Sequence, residues 1–493
     1  MARFYIENFG CRATQADGAA LERQFLDRGL ERAPAARDAE IVVLNTCTVT
    51  ESADKDARAS IRRLQRLNPD CRILVTGCYA QRAPEELAAL PGVTWVVGNS
   101  HKHQAAEIAT CSSSSPEADA TGSSASSAFV PVARLTLAQK QTPPLAKEVE
   151  AANRPGNVVV GDIFAHTELL AAPVFDRANE RTRPNLKVQD GCDNRCSFCV
   201  IPYVRGQSRS LPVNRVIAEV RTLVDAGYRE VVISGINLGR WGTDLIGGRR
   251  SMVVDRPGAL SEEVFERPPR DDQRLVDLIQ SILERTSLEK LRISSVEPMD
   301  WSEALIDLVA TSPRVAKHAH VPMQSGSDAV LRRMHRRYRP WHYREKILKI
   351  RSAMPTAAIG ADVMVGFPGE SEAEFDETRR MIEELPFTYL HVFTYSARPG
   401  TPAAEQVGRV KVAVARERNR VLRDLAAQKK AAFMRTLIGT TVPAITLQAG
   451  GEGFTEALTD NYLRLKISGH QESNRWQNLV IAGVDGDMLL AKP

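Results

Sequence analysis

Apolar and polar positions alternate between two patterns along the first 110 residues. Short apolar runs, typical of buried parallel strands, separate segments with helix-compatible spacing. The apolar runs are Phe4–Cys11, Ile41–Cys47, Ile73–Cys78 and Val93–Val97, and the helical segments are Asp17–Arg28, Ser52–Leu67 and Pro84–Leu90. This alternation predicts an α/β domain over residues 1–110, with a doubly wound parallel sheet and helices on both faces.

The same alternation resumes near residue 178 and continues to about residue 415. The candidate strands are Asn185–Val188, Glu230–Ser234, Lys290–Ser294, Ala319–Pro322, Ala358–Val365 and Tyr389–Thr394, and the helical segments include Val213–Ala226, Gln273–Arg285 and Glu372–Glu384. Six parallel strands with intervening helices predict a central partial (β/α) barrel over residues 178–415. In such barrels functional groups gather at the carboxyl ends of the strands.

The last part of the chain changes pattern again. Residues 408–436 contain nine Lys and Arg against two acidic residues and have the spacing of a helix. Segments of alternating apolar and polar residues follow, and they are Thr440–Leu447, Asn461–Ile467, Asn478–Ala482 and Asp487–Ala491. Short strands at this spacing predict a small C-terminal antiparallel β-barrel over residues 432–493.

Two stretches interrupt these patterns. Residues 111–155 are rich in Ser, Ala, Gly and Pro and cannot bury enough apolar surface to fold. We therefore expect a flexible Ser-rich insert and linker over residues 111–177. Residues 245–272 carry Gly-Gly-Arg-Arg and Arg-Pro-Pro-Arg and are expected to form a surface insertion in the barrel domain.

Composition limits the classes of function. The 493 residues are 43% hydrophobic and 25% charged, as in ordinary globular proteins, and the net charge of +5 does not by itself indicate nucleic acid. The N-terminus lacks the apolar core of a signal peptide, and nowhere do about 18 apolar residues run together, so no membrane association is expected. Eight cysteines are too few for a disulfide scaffold. Their clustering favours a reducing, cytoplasmic location.

Three cysteines follow the first strand of the predicted barrel. Cys192, Cys196 and Cys199 have Cys-x3-Cys-x2-Cys spacing, and three such thiolates suit an iron–sulfur cluster, zinc or Cu(I). Structural zinc usually has four ligands, and no His or fourth Cys lies nearby in sequence. Three ligands on a 4Fe–4S cluster would leave one iron open. The alternative is a group of buried or disulfide-bonded cysteines.

Three further cysteines end strands of the N-terminal domain. Cys11, Cys47 and Cys78 all fall at the carboxyl edge of the predicted sheet, where functional groups gather in such folds. We therefore infer a second three-thiolate site, which the fold assembles from distant segments. The alternative for each residue is an ordinary buried cysteine. Cys71 and Cys111 lie outside both sets.

Together these segments resemble the radical S-adenosylmethionine methylthiotransferase family. The matching stretches are Gly10–Cys11, Asn45–Thr48, Gly77–Gln81, Val188–Cys192, Ile201–Ser210, Gln324–Ser327, Gly366–Glu370 and Arg398–Thr401. Phe198, just before Cys199, matches the aromatic position of the radical S-adenosylmethionine motif. One departure is Thr14, where the family usually carries Asn.

The resemblance implies two 4Fe–4S clusters and two S-adenosylmethionine molecules per turnover. The cluster on Cys192, Cys196 and Cys199 would cleave one S-adenosylmethionine to a 5′-deoxyadenosyl radical, and the cluster on Cys11, Cys47 and Cys78 would supply sulfur. A second S-adenosylmethionine would supply the methyl group. By the same resemblance, Gly235 and Asn237 would lie near the methionine amino group, Phe198 near the adenine and Gln324 near the ribose.

The resemblance also implies partners. The C-terminal segment resembles the TRAM domain of RNA-modifying enzymes, and basic clusters at residues 331–339 and 408–436 favour phosphate binding. The closest branch acts on N6-threonylcarbamoyladenosine beside the tRNA anticodon, at position 37. Alternatives are N6-isopentenyladenosine in tRNA, an aspartate of ribosomal protein S12, or a non-catalytic RNA-binding protein with structural metal sites. An enzyme of this kind would also need a reduced flavodoxin- or ferredoxin-type electron donor and a sulfur donor.

Overall fold

The computed structural model describes residues 2–111, 157–166, 169, 182–245, 274–447, 450 and 453–492. The two predicted insertions lie almost wholly outside these residues. None of the helices in the described part of the chain is long and apolar enough to cross a bilayer.

The N-terminal domain is a parallel sheet with helices on both faces, as predicted. Its strands are β1 (Arg3–Asn8), β2 (Glu31–Arg32), β3 (Ile41–Thr46), β4 (Arg72–Gly77), β5 (Val93–Gly98) and β6 (Asn157–Val159). Its helices are α1 (Arg12–Asp27), α2 (Glu51–Leu67), α3 (Cys78–Arg82), α4 (Pro84–Ala88) and α5 (Ala105–Cys111). The strand order is β2-β1-β3-β4-β5-β6, and every pair is parallel.

Alternation along β3 shows why both faces are covered. Val42 and Leu44 belong to one buried apolar cluster, and Ile41 and Val43 belong to another on the opposite face. Successive strand residues point to opposite faces, so a strand that is apolar throughout needs helices on both sides.

One strand falls where the sequence analysis placed only a linker. Residues 157–159 form β6, which pairs in parallel with Trp95–Val97 of β5. The prediction of a flexible linker over residues 111–177 is therefore wrong for this segment. Three residues are too few for a strand to be predicted from their apolar pattern. The segment becomes a strand because it pairs with the free edge of β5.

The central domain contains the six predicted parallel strands and one short additional strand. The strands are β7 (Asn185–Asp190), β8 (Arg209–Ser210), β9 (Glu230–Gly235), β10 (Lys290–Ile293), β11 (His318–His320), β12 (Ala358–Val365) and β13 (Tyr389–Thr394). The helices are α6 (Ile201–Arg205), α7 (Val213–Asp225), α8 (Arg274–Arg285), α9 (Glu303–Thr311), α10 (Asp328–Arg333), α11 (Pro340–Ala353) and α12 (Glu372–Glu384).

These strands form an open barrel. One sheet has the order β10-β9-β7-β8, the other has the order β11-β12-β13, and β8 is the antiparallel addition at the edge. Isolated parallel bridges, Leu291 with Val315 and Ser295 with His320, join the two sheets beside β10 and β11. The predicted partial barrel is confirmed.

The two faces of the barrel differ in chemistry. Apolar residues on alternate positions, such as Val231, Leu291 and Ile359, belong to the large core between strands and helices. The intervening positions face the lumen and are mostly polar: Lys187, Gln189, Glu230, Ser234, Arg292, His318, His320, Asp362 and His391. A polar lumen is a place for ligands, since a purely structural barrel fills with branched apolar side chains.

The C-terminal domain follows a long helix, α13 (Val412–Thr436), which confirms the helix expected within residues 408–436. Its strands are β14 (Thr441–Thr446), β15 (Phe454–Thr459), β16 (Arg464–Ser468), β17 (Trp476–Asp485) and β18 (Met488–Lys492). They close into a five-stranded barrel of order β14-β15-β16-β18-β17. The small barrel is as predicted, except that β15 was not foreseen and that β16 and β18 pair in parallel.

A turn of this small barrel contacts the end of the central barrel at which its strands begin. Arg292 donates from Nη1 to the Asp460 carbonyl at 3.0 Å, and the Asn461 side chain donates to the Thr356 carbonyl at 2.9 Å. Tyr462 has a φ of +69°, a conformation that costs about 1–3 kcal/mol in a non-glycine residue. The surrounding contacts hold this conformation and direct the tyrosine ring into the lumen.

Candidate active site

The loop after β7 carries Cys192, Cys196 and Cys199. Strand β7 ends at Asp190, and Gly191 has a φ of +72°, a left-handed conformation that turns the chain into the loop. A Cβ on Gly191 would lie 1.9 Å from a backbone oxygen of the facing segment, so a larger residue would not fit. The Cys199 amide donates to the Cys196 carbonyl at 3.1 Å, a tight turn that shortens the path between these two thiols.

Hydrogen-bond donors reach the sulfur atoms of this loop. The Asn194 amide and the Asn237 side chain donate to Cys192 Sγ at 3.4 and 3.6 Å. Arg336 donates from Nη1 to Cys196 Sγ at 3.2 Å. Donors and cations beside sulfur favour the thiolate and tune the potential of an iron–sulfur cluster. Arg336 belongs to the basic run at residues 331–339 that was predicted to bind phosphate, and its contact with Cys196 was not predicted.

The thiols of this loop influence one another. Burial raises the pKa of Cys199 to about 12, and the neighbouring Cys196 and Cys192 add to the rise. Burial also raises the pKa of Cys192 to about 11, again with a contribution from Cys196. Gathered, partly buried thiolates repel one another, and a cationic metal centre offsets that repulsion.

The second set of cysteines forms at the carboxyl edge of the N-terminal sheet. Cys11, Cys47 and Cys78 directly follow β1, β3 and β4 or the turns after them. A Cβ on Gly10 would lie 2.6 Å from Cys47 Cβ, so glycine is needed for this close approach. Burial, and then the neighbouring thiols of Cys78 and Cys11, raise the pKa of Cys47 to about 12. The fold therefore brings together three cysteines that lie far apart in sequence.

Polar side chains reach this second set too. The Thr14 hydroxyl lies 3.5 Å from Cys11 Sγ, so the residue that replaces the usual Asn still contacts the thiol. Asn99 donates from Nδ2 to Cys78 Sγ at 3.6 Å and to the Val204 carbonyl at 2.7 Å. In contrast, Cys71 is buried in an apolar cluster and contacts neither set, as expected of a core residue.

The three sulfur atoms of each cysteine set lie further apart than three thiolates on a single zinc ion would. Thiolates on one tetrahedral zinc lie roughly 3.8 Å apart, given Zn–S bonds of about 2.3 Å. Within the described residues, only His320, Asp362 and His391 bring three such ligand atoms within 4.8 Å of one another. In neither cysteine set do all three sulfur atoms lie within 4.8 Å of one another. Their donor set of three sulfurs fits a larger iron–sulfur centre.

The segments that carry the two cysteine sets are in contact with each other. Helix α6 begins two residues after Cys199, and its Val204, with the preceding Val200, packs directly against Cys78. The Asn99 side chain completes the contact, because it touches both Cys78 Sγ and the carbonyl of Val204. One short apolar contact thus separates the segments that carry the two sets.

Two of the residues expected near S-adenosylmethionine lie beside the cysteine loop. Gln189 accepts a hydrogen bond from the Asn237 amide at 2.7 Å, and the Asn237 side chain reaches Cys192 Sγ. A Cβ on Gly235 would lie 2.8 Å from Gln189 Oε1, so the glycine lets the Gln189 side chain approach the end of β9 closely. Gln189 also donates to the Gly191 carbonyl at 2.9 Å and so joins the two segments. Its role was not foreseen.

The other two expected residues lie on neighbouring loops. The Phe198 ring meets the Phe367 ring edge-on, with centroids 6.4 Å apart. Gln324 has a φ of +61°, and its amide donates to the Asp362 carbonyl at 2.8 Å. A strained conformation held by two neighbouring strands is common where a backbone or side chain meets a ligand. All four expected residues therefore lie at the carboxyl end of the barrel.

A buried charge cluster joins the N-terminal domain to the barrel. It consists of Asp17, Lys102, Lys187, Asp190 and Arg205. Burial alone would raise the pKa of Asp17, but Arg205, Lys102 and Lys187 outweigh it and hold the pKa well below its usual range. Asp190 is two residues before Cys192, and α1, which carries Asp17, begins just after Cys11. This cluster therefore links the backbone segments that carry the two cysteine sets.

The expected phosphate-binding run at residues 331–339 is largely engaged elsewhere. Arg332 pairs with Asp328 at 2.8 Å, Arg333 pairs with Glu374 at 2.8 Å, and Arg336 faces the cysteine loop. Phosphate binding by this run stays a prediction, because the Arg332 side chain is 64% exposed although Arg336 is buried beside the cysteine loop. Helix α13 and the residue before it retain exposed basic side chains: Lys411, Arg416, Arg423 and Arg435.

The chain matches known families over both halves of this site. Residues 3–98 match a family described as Uncharacterized protein family UPF0004, and residues 186–382 match the radical SAM superfamily. In fold, the chain is similar to the radical S-adenosylmethionine methyltransferase TsrM from Kitasatospora setae, with a TM-score of 0.51, 16% identity and coverage of 91% of this chain and 79% of that chain.

Relatives align along almost the whole chain. The threonylcarbamoyladenosine tRNA methylthiotransferase MtaB of Bacillus subtilis (strain 168) is 33% identical over 96% of this chain and 92% of its own length. The MtaB of Aquifex aeolicus (strain VF5) is 31% identical over 97% and 99%. A tRNA-2-methylthio-N(6)-dimethylallyladenosine synthase of Parafrankia sp. (strain EAN1pec) is 30% identical over 99% and 85%. These matches show that the chain belongs to the radical S-adenosylmethionine methylthiotransferase family.

Proposed function

We propose that this protein is a tRNA methylthiotransferase that converts N6-threonylcarbamoyladenosine at tRNA position 37 to its 2-methylthio derivative. The observation that carries this proposal is the packing of Cys78 with Val200 and Val204, because it brings the segments of the two three-thiol sets into contact. Replacing a C–H hydrogen by a methylthio group requires a radical and a sulfur source at one substrate carbon. Two neighbouring metal centres can meet that requirement.

Each cysteine set would hold one 4Fe–4S cluster through three thiolates. When bound, such clusters supply the electron that cleaves S-adenosylmethionine to a radical and the open iron that carries the sulfur for transfer. Arg336 and Asn237 donate to sulfurs of the central set, and Asn99 donates to a sulfur of the N-terminal set. These hydrogen bonds would hold the thiolates in position and partly neutralise the negative charge on the sulfur atoms.

The residues around the central loop would bind S-adenosylmethionine. Gly235 lets Gln189 pack closely against the end of β9, and Gln189 in turn fixes Asn237 beside Cys192. Phe198 offers an aromatic edge for an adenine, and the partly exposed Gln324 offers a side chain for a ribose. All belong to loops at the carboxyl end of the barrel, where ligands bind in this architecture.

Further partners follow from this chemistry. The C-terminal barrel and the exposed basic residues of α13 would hold the tRNA through its phosphates. A reduced flavodoxin- or ferredoxin-type protein would deliver electrons, a separate sulfur donor would restore the transferred sulfur, and a second S-adenosylmethionine would provide the methyl group. Because the substrate is tRNA, the reaction would take place in the cytoplasm.

The competing substrate within the family is N6-isopentenyladenosine, because a dimethylallyladenosine synthase is similar to nearly the whole chain. The test uses anaerobically reconstituted protein, a reductant, S-adenosylmethionine and anticodon stem-loop RNAs. One RNA carries the threonylcarbamoyl group and a matched RNA carries the isopentenyl group. Mass spectrometry should show the methylthio product with the first RNA. A product with the second RNA alone would assign the chain to the other activity.

Formation of 5′-deoxyadenosine in the same reactions tests the class of protein. A radical enzyme produces it when reduced in the presence of S-adenosylmethionine. A non-catalytic RNA-binding protein with structural metal would bind the RNAs and produce none, and that result would overturn the proposal as a whole.

A further inference from the structure

The lumen of the central barrel holds a group of polar side chains just below the proposed S-adenosylmethionine residues. Asp362 lies between two imidazoles, with its Oδ1 3.3 Å from His320 Nε2 and 3.6 Å from His391 Nδ1. We call these three residues the His–Asp–His cluster. The Asp362 carbonyl accepts the Gln324 amide at 2.8 Å, so the cluster is one residue layer below the loop that carries Gln324.

The cluster is open to a ligand. His320 is 9% exposed, yet its Nε2 has no well-formed hydrogen bond among the described residues. The His391 side chain is 55% exposed, and the next lumen-facing residue along β13, Phe393, is 46% exposed. A half-exposed imidazole beside an exposed aromatic ring is a suitable surface for a planar base with a polar substituent.

A cation from the N-terminal domain enters the same lumen. Arg12, which follows Cys11, donates from Nη2 to the Tyr462 hydroxyl at 3.0 Å. Burial lowers the pKa of His391, the adjacent His320 lowers it further, and Arg12 adds to this effect. In the part of the chain that the structure describes, no carboxylate lies within ion-pair distance of the Arg12 guanidinium. The Arg12 guanidinium is therefore available to an anionic ligand. The other charges of the lumen are Asp362, whose carboxylate lies against two imidazoles, and Glu230, which pairs with Arg292 and Arg183.

Aromatic rings close the lumen below the Arg12 guanidinium. Tyr462 packs on His318 with ring centroids 4.8 Å apart, and Tyr389 hydrogen-bonds to His318 at 2.7 Å. A Cβ on Gly360 would lie 2.0 Å from Tyr389 Cζ, so the glycine provides the space for this ring. The pocket thus has an aromatic floor, a polar wall and a cationic side chain at its edge.

We infer that this lumen is a subsite for an anionic, hydroxyl-bearing N6 substituent on the target adenine. Arg12 binds the carboxylate, and the His–Asp–His cluster binds the hydroxyl and carbamoyl groups. This inference rests on the proposed function and deepens it, because a threonylcarbamoyl group carries a carboxylate, a hydroxyl and amide N–H groups. A dimethylallyl group carries none of these, and it would leave the buried polar atoms of the lumen without partners.

A divalent metal is the other occupant that two imidazoles and a carboxylate suggest. The surroundings favour the anion instead. Arg12 and Arg292 both face the same lumen, and only Arg292 has a carboxylate partner, Glu230. A metal dication beside an uncompensated guanidinium would be repelled, whereas a carboxylate there gains a charge-assisted hydrogen bond.

The experiment measures selectivity for the charge of the substituent. The reconstituted enzyme is given two stem-loop RNAs, one with the free threonyl carboxylate and one with its methyl ester. The wild type should have a kcat/KM for methylthiolation about 10- to 100-fold higher with the acid than with the ester, the range expected for one charged hydrogen bond. Arg12→Met should reduce this ratio toward one by slowing the acid alone. Arg23→Met, which removes an exposed cation from the same helix, should keep the wild-type ratio.

A second variant guards against disturbance of Cys11 by its neighbour. His391→Leu, on β13 and away from both cysteine sets, should slow methylthiolation of the acid and ester RNAs alike, because both carry the hydroxyl and carbamoyl groups, while the iron content stays at the wild-type level. Equal rates for acid and ester in the wild type would overturn the subsite but leave the proposed function intact. Turnover of the isopentenyl RNA alone would overturn both. One equivalent of zinc or manganese per wild-type chain that is lost in His391→Leu would identify a metal site and overturn the anionic subsite.

Discussion

Arg205 donates from Nη2 to Asp17 Oδ2 at 2.9 Å, across the boundary between the central barrel and the N-terminal domain. Both side chains are buried, and the same arginine holds Asp190 through Nη1 at 3.0 Å. Arg205 ends the helix that packs on Cys78, and Asp17 lies on the helix that starts after Cys11. This ion pair therefore fixes the relative position of the two cysteine sets.

Asp17→Asn should weaken the contact between the domains. It leaves Lys102, Lys187 and Arg205 buried with one carboxylate fewer, and breaking a buried pair from one side costs about 3–5 kcal/mol. We expect a lower unfolding temperature in calorimetry and faster proteolysis between the domains. The control is Asp27→Asn, which removes an exposed carboxylate from the same helix. Equal unfolding temperatures for the two variants would show that the cluster does not stabilise the interface.

The same cluster predicts a pH dependence. The pKa of Asp17 is held well below its usual range by Arg205, Lys102 and Lys187 against the opposing effect of burial. A lowered folded-state pKa gives stability that is fully present above the unfolded pKa of about 3.9 and is lost as the pH falls toward the folded value. The difference in unfolding temperature between wild type and Asp17→Asn should be constant from about pH 5 to 8 and shrink below about pH 4. A difference that already changes between pH 6 and 8 would point to another titrating group.

Local patterns and tertiary contacts explain what the sequence could and could not predict. Cys192, Cys196 and Cys199 can be predicted as one ligand set because they lie close together in sequence. Cys47 and Cys78 can be predicted as neighbours because parallel strands end at a common edge of the sheet. The pairing of Asp17 with Arg205 joins residues 188 positions apart, and no periodicity marks it.

Errors in the sequence interpretation have the same origin. Arg336 stands in a run of basic residues, and only the fold turns it toward Cys196 and Glu297. Strand β15 was missed because glycines precede Phe454 and its alternation is brief, so that pairing with β14 and β16 defines it. Residues 157–159 likewise become a strand through the edge of β5.

Iron content should separate the two cysteine sets. Fully reconstituted protein should hold about eight irons, as two four-iron clusters require, and the triple Cys192, Cys196 and Cys199→Ala variant about four. Cys71→Ala is the matched control, because Cys71 is buried in the apolar core and contacts neither set. Its iron content should equal that of the wild type. Complete loss of iron from a folded triple variant would mean that the sets do not assemble independently.

The division of labour between the sets gives the sharpest prediction. The triple Cys11, Cys47 and Cys78→Ala variant should lose methylthiolation but still produce 5′-deoxyadenosine, because cleavage of S-adenosylmethionine depends only on the central loop and its donors Asn237 and Arg336. Both products are measured in one anaerobic reaction with the stem-loop RNA.

The triple N-terminal variant needs a control, because Cys78 contacts the segment that follows the central cysteine loop. Cys78 packs on Val200 and Val204, so loss of its side chain leaves a small void beside the central loop. A Val204→Ala variant creates a similar void while keeping all six cysteines, and it controls for this disturbance. If Val204→Ala keeps both products and the triple variant loses only the methylthio nucleoside, sulfur transfer belongs to the N-terminal set. Methylthiolated RNA from the triple variant would exclude that set from the reaction, and absence of 5′-deoxyadenosine from a folded, centrally loaded triple variant would show that cleavage itself needs both sets.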